Sequence, residues 1–251
     1  MDTPRIEIIG LTGMPEIHDG DDLVTLILAA CSRHEIEPCD GDVFVITQKI
    51  VSKAEGRVVP LATIEPSPLA TTFGESSGKD PRLVELALRQ ARRVVKMDRI
   101  LLTETHHGFI CANSGVDSSN IAGSDNAAAL PTDPDGSAAA ILEGLRAATG
   151  TALGVLISDT FGRPWRQGVV DVAVGLAGVP ALIDYRGVED RQGRSLASTL
   201  VALADEIASA AELVMGKVDD VPVAIVRGLA WERSDSKATD LIRDPAEDLF
   251  R

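Results

Sequence analysis

Oxygen-bearing side chains are concentrated in two short segments, each of which directly follows a predicted buried strand. Residues 113–120 read NSGVDSSN and contain Asp117, and residues 158–163 read SDTFGR and contain Asp159 and Thr160. Carboxylate and hydroxyl oxygens are the ligands that hard cations such as Mg²⁺ and Mn²⁺ prefer. The two segments together therefore predict a divalent-cation site. The alternative is that each aspartate makes only an Asx-turn in its loop.

Positive charge recurs beyond another predicted strand, where Lys49, Lys53 and Arg57 are spaced four residues apart. On a helix this spacing places the three cations on one face, where they could hold phosphate groups. Arg163 and Arg166 could likewise clamp a phosphate or a carboxylate through bidentate hydrogen bonds. The alternatives are a solvated basic face and ordinary ion pairs with some of the 38 acidic residues.

One segment looks like a phosphate-binding P-loop but departs from that motif twice. Residues 74–79 read GESSGK, with three residues between the glycines instead of four, and Asp80 stands where Ser or Thr should bind magnesium. We therefore predict only a loop that leads into a helix at Pro81. The fingerprint GxGxxG does not occur in the sequence, so a nucleotide would have to bind without either motif.

Histidine and cysteine residues give no strong catalytic or metal signal. His106 and His107 could act as bases, but no partner can be identified for them, and surface positions are the simpler interpretation. Cys111 falls in a predicted strand, where a buried cysteine usually only packs. The three cysteines and four histidines show no zinc-site spacing, and free thiols fit a reducing cytosol.

Short strands and helices alternate along the chain and would position these residues. Strands are predicted at residues 5–9, 43–46, 100–103, 109–112, 153–157 and 221–226. Helices are predicted from about residue 21, from Pro81 through Val94, from a Ser137 cap to Gly150, and over residues 196–214. Residues 113–136 form a long polar loop, which in a compact chain is more often functional than idle. Taken alone, the alternation favours a doubly wound α/β sheet.

Composition argues against several classes of function. The chain has 251 residues, 24 of them basic and 38 acidic, for a net charge of −14, and its length suits one large or two small domains. Binding to nucleic acid or to a membrane surface depends on clustered positive charge, so we expect neither partner. The first residues lack the apolar stretch of a secretion signal, and the near-apolar run at residues 169–183 is too short to span a bilayer. We expect a cytoplasmic protein.

Seven groups of segments, taken in order, resemble the coenzyme F420 γ-glutamyl ligases, the CofE-like family. Each is weak alone, but their common order over roughly residues 5–230 is highly specific. They are GDDL at 20–23, DV at 42–43 with VSKAEGR at 51–57, NSGVDSSN at 113–120, DPDGS at 133–137, DTFGR at 159–163, ADEIA at 204–208 with MG at 215–216, and VRGL at 226–229.

The resemblance implies a GTP-dependent amide ligase. Such an enzyme adds L-glutamate through its α-amine to the carboxylate of the deazaflavin coenzyme F420 precursor, passes through an acyl phosphate, and releases GDP and phosphate. This chemistry needs charge neutralisation on the triphosphate and in-line positioning more than an acid–base pair. A metal-dependent nucleotide phosphohydrolase and a non-catalytic nucleotide- or flavin-binding module are the alternatives, although neither explains the ordered segments.

Carried over residue by residue, the resemblance implies two divalent cations, Mg²⁺ or Mn²⁺, with Asp117 and Asp159 as ligands and Thr160 on the second ion. A potassium ion could also bind. The nucleotide would contact or lie against Met14, Pro15, Glu16, Ile17, Gln48, Lys49, Lys53, Asn120, Val214, Met215, Gly216 and Lys217. The chain departs from the family's pattern at Gln48–Lys49, where small hydroxyl residues are expected, and at Lys217, where an acidic group is expected. A catalytic role for Arg163 and Arg166 is our own hypothesis.

The resemblance also implies the fold, which is α+β, with two interlocked α+β subdomains in an intertwined homodimer. Residues 1–251 would form one ligase unit in which 231–251 is a polar tail. In some bacteria the ligase is fused to a nitroreductase-like domain, for which this chain has no room. We therefore expect either a stand-alone enzyme or the ligase part of such a fusion.

Overall fold

A computed structural model describes residues 3–121, 123 and 125–248. Its helices are α1 (Leu23–Arg33), α2 (Gln48–Ala54), α3 (Pro68–Ser77), α4 (Pro81–Arg89), α5 (Pro134–Thr149) and α6 (Leu203–Met215). Its strands are β1 (Glu7–Leu11), β2 (Val43–Thr47), β3 (Val58–Pro60), β4 (Ala91–Met97), β5 (Leu101–Thr105), β6 (Ile110–Ala112), β7 (Asn126–Ala128), β8 (Gly154–Gly162), β9 (Val169–Ala177), β10 (Ile183–Asp184), β11 (Leu200–Val201) and β12 (Val223–Arg227). This mixture confirms the predicted α+β class.

The largest sheet has five strands in the order β1-β12-β2-β8-β9. Only β2 and β8 are parallel, and the other neighbours are antiparallel. The apolar run Val43–Ile46 in β2 is completely buried at the centre of this sheet, as continuous apolar strands usually are. The doubly wound sheet that the alternation alone favoured is therefore wrong, because its strands would all be parallel.

A second hydrophobic core lies between α2 and α5 along the chain. It is built on the three-stranded sheet β4-β5-β6, the ribbon β3-β7 and helices α3 and α4, around buried Leu61, Phe73 and Leu101. We call residues 58–130 the small unit and the rest of the chain the large unit. The described residues therefore form two separate hydrophobic cores, while the two subdomains, their interlocking and the intertwined homodimer stay predictions.

Several element boundaries differ from the sequence predictions. The helix predicted to run from Pro81 through Val94 ends at Arg89, and Val94 lies in β4, which pairs with β5. The helix predicted from residue 196 begins at Leu203. In both cases the apolar spacing of the helix continues into a neighbouring non-helical segment, because short apolar runs fit a helix and a strand equally well.

The predictions for the cap of α5 and for residues 74–79 are also wrong. Asp133, not Ser137, caps α5 and accepts a hydrogen bond from the backbone N–H of Gly136. The GESSGK segment is not a loop: most of it is the last part of α3, which ends at Ser77 and is capped by Gly78 in a left-handed conformation with φ +71°. Glycine is favoured there because it has no Cβ to clash.

The polar segment after Trp231 folds back onto the large unit as far as residue 248. The Trp231 indole N–H donates to the carbonyl oxygen of Gly41 at 2.9 Å, and the backbone N–H of Ala238 donates to Asp135 Oδ1 at 3.0 Å. Among the described residues, no helix combines the length and apolar character needed to cross a membrane.

Candidate active site

The large unit brings four segments together at one edge of its sheet. β1 and β2 end there, β8 passes through it, and β12 begins there. In the register of the sheet, Val223 lies opposite both Leu11 and Ile46, and Thr47 lies opposite Ser158. Side chains from residues 12–17, 48–53, 158–160 and 215–222 therefore converge at this edge.

These segments and the turn at residues 113–120 of the small unit enclose a cavity of about 840 Å³. This volume is within the range of about 300–1,000 Å³ that is usual for small-molecule sites. Most of the residues predicted to bind metal or nucleotide line it, namely Met14, Pro15, Glu16, Ile17, Gln48, Lys49, Lys53, Asn120, Asp117, Asp159, Thr160, Met215, Gly216 and Lys217.

Asp159 and Thr160 lie within a strand and not after it. The predicted strand ended at Ile157, but β8 continues to Gly162 because β9 pairs with its whole length. The register shifts by one residue between Ile157 and Ser158, a β-bulge of the kind that often re-aims side chains next to active sites. The continued pairing fixes both Asp159 and Thr160 on a rigid part of the large unit.

The same pairing introduces a carboxylate that the sequence analysis did not single out. Asp171 on β9 lies opposite Thr160 and is only 3% exposed. Its oxygens accept hydrogen bonds from Ser158 Oγ at 3.0 Å and from Thr160 Oγ1 at 2.7 Å. The one signal in the sequence was a lone acidic residue inside the near-apolar run at 169–183.

Asp117 is positioned by an unusual turn in the small unit. Asn113, Ser114 and Gly115 all have positive φ, and a Cβ on Gly115 would lie 2.7 Å from Leu130. The buried Ser114 hydroxyl donates to the carbonyl oxygen of Ala87 at 2.7 Å, which anchors the turn to α4. A left-handed run of this kind is retained only where the surroundings hold it firmly.

The Asp117 carboxylate is already satisfied by neighbouring groups. It accepts from the backbone N–H of Ser119 at 2.8 Å and from Lys49 Nζ at 2.7 Å, so the Asx-turn is present, while the role of Asp117 as a cation ligand stays a prediction. Burial raises its pKa, but the hydrogen bonds from Lys49 and Ser119 outweigh burial and leave the pKa below the usual 3.8. Asp117 is therefore ionised and paired.

Asp159 has the opposite electrostatic environment. Desolvation is the main reason why the pKa of its carboxyl is raised to about 7. A hydrogen bond from the Thr160 backbone opposes this rise, as does the charge of Lys49, while the negative charges of Asp171 and Asp117 add to it. Buried carboxylates without a cationic partner are costly to ionise. A bound cation would remove this penalty.

Lys217 occupies the space beside Thr160. Its Nζ donates to Thr160 Oγ1, to Asp171 Oδ1 at 3.1 Å and to Glu212 Oε1 at 2.8 Å. Burial lowers the pKa of Lys217, but the contacts with Glu212 and Asp171 outweigh it and leave the pKa above 10.5. The ammonium group thus sits among the oxygen atoms that a second cation would need.

The donor set fits cations that are completed by a substrate. Among the residues that the structure describes, no group of three or more His, Cys, Asp or Glu side chains could hold a metal by itself. Mg²⁺ is commonly bound by one or two carboxylates together with phosphate oxygens and water. Asp117 and Asp159 match that pattern for one cation, whereas a second cation on Thr160 requires Lys217 to move.

Further contacts tie the cavity's segments to one another. Lys53 Nζ donates to Glu16 Oε1 at 2.6 Å, which links α2 to the segment after β1. Asn120 Nδ2 donates to the carbonyl oxygen of Lys217 at 3.1 Å, which links the small unit to the loop before β12. Gln48 is buried and accepts from Ser52 Oγ at 2.9 Å.

The predicted basic face is wrong at one position. Lys49 and Lys53 both line the cavity, but α2 ends at Ala54 and Arg57 lies beyond it. The Arg57 guanidinium turns away, donating to the carbonyl oxygen of Leu130 at 3.1 Å and to Gln90 Oε1 at 2.9 Å. Only two of the three cations can meet a ligand in this cavity.

Val214, Arg163 and Arg166 do not line the cavity. Val214 packs against the core of the large unit. Arg163 and Arg166 lie in the turn between β8 and β9, where Arg163 Nη2 donates to the carbonyl oxygen of Gln167 at 2.5 Å. Within one chain, the structure therefore does not bring these arginines to the site, and their clamping role stays a prediction.

The histidine and cysteine interpretations are compatible with the structure. His106 is exposed, and the ring Nε2 of His107 lies 3.0 Å from the carbonyl oxygen of Pro131, away from the cavity's lining. Cys111 is buried, and burial raises the pKa of its thiol to about 12. A thiol in that state is a poor nucleophile.

Comparison with known proteins finds relatives that match almost the whole chain. The profile of the family described as F420-0:Gamma-glutamyl ligase matches residues 12–228. A coenzyme F420:L-glutamate ligase from Methanothermobacter thermautotrophicus is 48% identical over 250 residues, covering 98% of this chain and 99% of the relative. Proteins of the same name from Methanopyrus kandleri and Methanocaldococcus jannaschii are 47% and 43% identical, covering 99% and 98% of this chain and 98% and 97% of the relatives. These matches confirm the resemblance.

Proposed function

Because the chain belongs to the F420-0:gamma-glutamyl ligase family, we propose that this ligase joins L-glutamate by an amide bond to the deazaflavin precursor of coenzyme F420, with GTP as its energy source. The observation that carries the proposal is the meeting of Asp117 and Asp159, from different units, in a cavity that also contains Lys49 and Lys53. Ligases that use a nucleoside triphosphate need such a combination of carboxylates for a cation and ammonium groups for phosphates.

The proposed reaction has two displacement steps. A carboxylate oxygen of the acceptor attacks the γ-phosphorus of GTP, the bond from this phosphorus to the β–γ bridging oxygen breaks, and GDP leaves. The glutamate α-amine then attacks the acyl carbon, the bond to the phosphate oxygen breaks, and the nitrogen releases a proton. Both steps depend on fixed positions and on stabilising negative charge on phosphate oxygens.

The chain's own residues support this sequence in distinct ways. Lys49 neutralises Asp117 at 2.7 Å in the structure, and it becomes available to a phosphate when a cation takes over that carboxylate. Lys53 holds Glu16 and lies on the same helix. A divalent cation between Asp117 and Asp159 would neutralise the triphosphate and the desolvated Asp159 carboxylate together.

We further propose a second divalent cation at Thr160, which binds when the Lys217 ammonium group moves towards Glu212 and away from Thr160 and Asp171. Potassium as a third ion stays a prediction, since no contact among the described residues assigns it a position. A cytoplasmic location, a homodimer, and a separate or fused nitroreductase-like partner domain are also parts of the proposal.

The proposal is tested by mixing the purified chain with the deazaflavin precursor, L-glutamate, GTP and Mn²⁺ and reading product masses. The expected result is a gain of one or more glutamyl units that is lost without GTP, and a loss of at least about 100-fold in rate for Asp159→Asn. GTP hydrolysis that does not need the other two substrates would instead support the phosphohydrolase. Binding of GTP without turnover would support the non-catalytic module.

A further inference from the structure

A second cavity of about 370 Å³ adjoins the first one on the side of the small unit. Lys79 lines it from the linker between α3 and α4, Leu83 and Val84 line it from the first turn of α4, and Ser118 lines it from the turn that carries Asp117. Asn113, Val116 and Asp117 line both cavities. The two cavities therefore share a wall at one of the proposed cation ligands.

The ammonium group of Lys79 is unneutralised in this side cavity. Its Nζ donates to the neutral Asn113 Oδ1 at 3.0 Å, and no acidic side chain among the described residues pairs with it. Burial lowers the pKa of Lys79, as expected for a partly desolvated ammonium group without a carboxylate. In a chain with a net charge of −14, a half-buried lysine without an acidic partner is an unusual feature.

The acidic groups that line the side cavity are already paired. Asp80 caps α4 and accepts from Arg82 Nη2 at 2.7 Å, and the same guanidinium contacts Asp125 at 2.7 Å. Asp117 is paired with Lys49. The positive charge of Lys79 is therefore left for a ligand.

The backbone holds Lys79 in place between two helices. Its N–H donates to the carbonyl oxygen of Gly74 at 3.0 Å, which closes the end of α3. A Cβ on Gly74 would lie 2.8 Å from both the Lys79 carbonyl oxygen and Pro81, so the helix and the linker are in close contact. The segment that looked like a faulty P-loop thus serves to fix a lysine at the side cavity.

We propose that the side cavity binds the incoming amino acid of the ligase reaction, with its side-chain carboxylate paired to Lys79 and its α-amine at the shared wall beside Asp117. This inference rests on the proposed function. The nucleophilic amine must reach the acyl carbon in the main cavity, so the far end of glutamate extends away from Asp117. Leu83 and Val84 offer apolar contacts to the methylene groups in between.

The test is steady-state kinetics of Lys79→Gln, with the mass-detected ligation as readout. Loss of a charge-assisted hydrogen bond should raise KM for L-glutamate by about 10- to 100-fold, while KM for GTP changes less than about twofold. Because Lys79 would recognise the charge, the preference for L-glutamate over L-glutamine should fall by a similar factor. Lys79→Arg should recover part of the glutamate affinity.

The matched control is Lys96→Gln, which removes an exposed lysine from β4 of the same unit, where it pairs with Asp98, and should leave KM for glutamate unchanged. Should Lys79→Gln fail to fold, Ser118→Phe narrows the side cavity from its exposed rim and should raise KM for glutamate selectively. An unchanged glutamate KM in whichever variant folds, with an active wild type, would overturn this inference. An inactive wild type would overturn the proposed function instead.

Discussion

Asp117 and Asp159 face one cavity from the two units of the molecule, and their surroundings differ in almost every respect. Asp117 follows a left-handed turn at residues 113–115, accepts hydrogen bonds from Lys49 and Ser119, and has a lowered pKa. Asp159 lies on a paired strand, and its pKa is raised to about 7, mainly by burial. The large unit thus supplies Lys49 to neutralise the carboxylate of the small unit, whereas no ion pair within the described residues neutralises its own Asp159.

This contrast shows where a cation would gain its binding free energy. At Asp117 a cation would have to displace Lys49, and because one positive charge then replaces another, the exchange contributes little binding free energy. At Asp159 a cation would relieve a half-buried, desolvated carboxylate that also experiences the negative charge of Asp171. The displaced Lys49 ammonium group would then stay in the cavity for a phosphate, so the two carboxylates would act in different ways although both are proposed as cation ligands.

The largest expected effects come from removing each carboxylate charge. Asp159→Asn and Asp117→Asn should both lower the ligation rate by at least about 100-fold, because transition-state charge stabilisation is worth several kcal/mol. Without cations, the two substitutions should change the melting temperature in opposite directions. Asp159→Asn should raise the melting temperature by several degrees, since it removes a desolvated charge that has no paired cation, whereas Asp117→Asn should lower it slightly by leaving Lys49 unpaired. Equal shifts in thermal unfolding would contradict the comparison.

The stability of the cation-free protein should also depend on pH through Asp159. A carboxyl whose pKa is about 7 in the folded state and near 3.9 in the unfolded state binds more protons when folded. Its contribution therefore falls as the pH rises from about 4 to about 7. Urea unfolding at pH 5 and pH 8 should show this loss in the wild type, a smaller one in Asp159→Asn, and a smaller one when Mn²⁺ is present. If the free energy of unfolding depends on pH equally in the wild type and in Asp159→Asn, the raised pKa of Asp159 is refuted.

A more moderate effect is expected from Lys217. Since its ammonium group contacts Thr160, Asp171 and Glu212, Lys217→Met should tighten binding of a second Mn²⁺ in the presence of GDP by about tenfold, roughly 1.4 kcal/mol. Electron paramagnetic resonance of free Mn²⁺ measures this directly. Lys237→Met, at an exposed position outside the cavity's lining, is the control and should leave the titration unchanged.

The smallest effects are expected from Arg163→Ala and Arg166→Ala. Because neither side chain lines the cavity of its own chain, KM for GTP should stay within about twofold of the wild type. If KM for GTP rises by more than about tenfold in either variant, the turn between β8 and β9 reaches the site of a second copy, as the predicted homodimer allows.

The parts of the site that follow strand ends could be predicted from the sequence. Asp117 and Lys49 stand after apolar runs with turn signals, so local patterns place them beyond strand ends. Asp159 could be singled out in the same way, although β8 continues past it to Gly162. Asp171 could not be found in this way. It reaches Thr160 through the register of β8 and β9, including a one-residue shift, and pairing of this kind depends on contacts that no single segment specifies.

The division into two cores was likewise outside the reach of local patterns. The apolar residues of the small unit, such as Leu61 and Leu101, look no different in sequence from those of the large unit. Lys79 was noted only as part of a faulty P-loop, because its place at a second cavity results from how α3 and α4 pack. Long-range packing decided these features.

The pairing of β3 with β7 has a topological consequence. Val58 lies opposite Ala128, so the chain leaves the large unit and returns to it through adjacent antiparallel strands, about 5 Å apart. The small unit is therefore an insertion with neighbouring endpoints. A short turn in its place would preserve the connections among the five strands of the main sheet, together with Asp159, Thr160 and Asp171, and would remove Asp117 and Lys79 in a single excision.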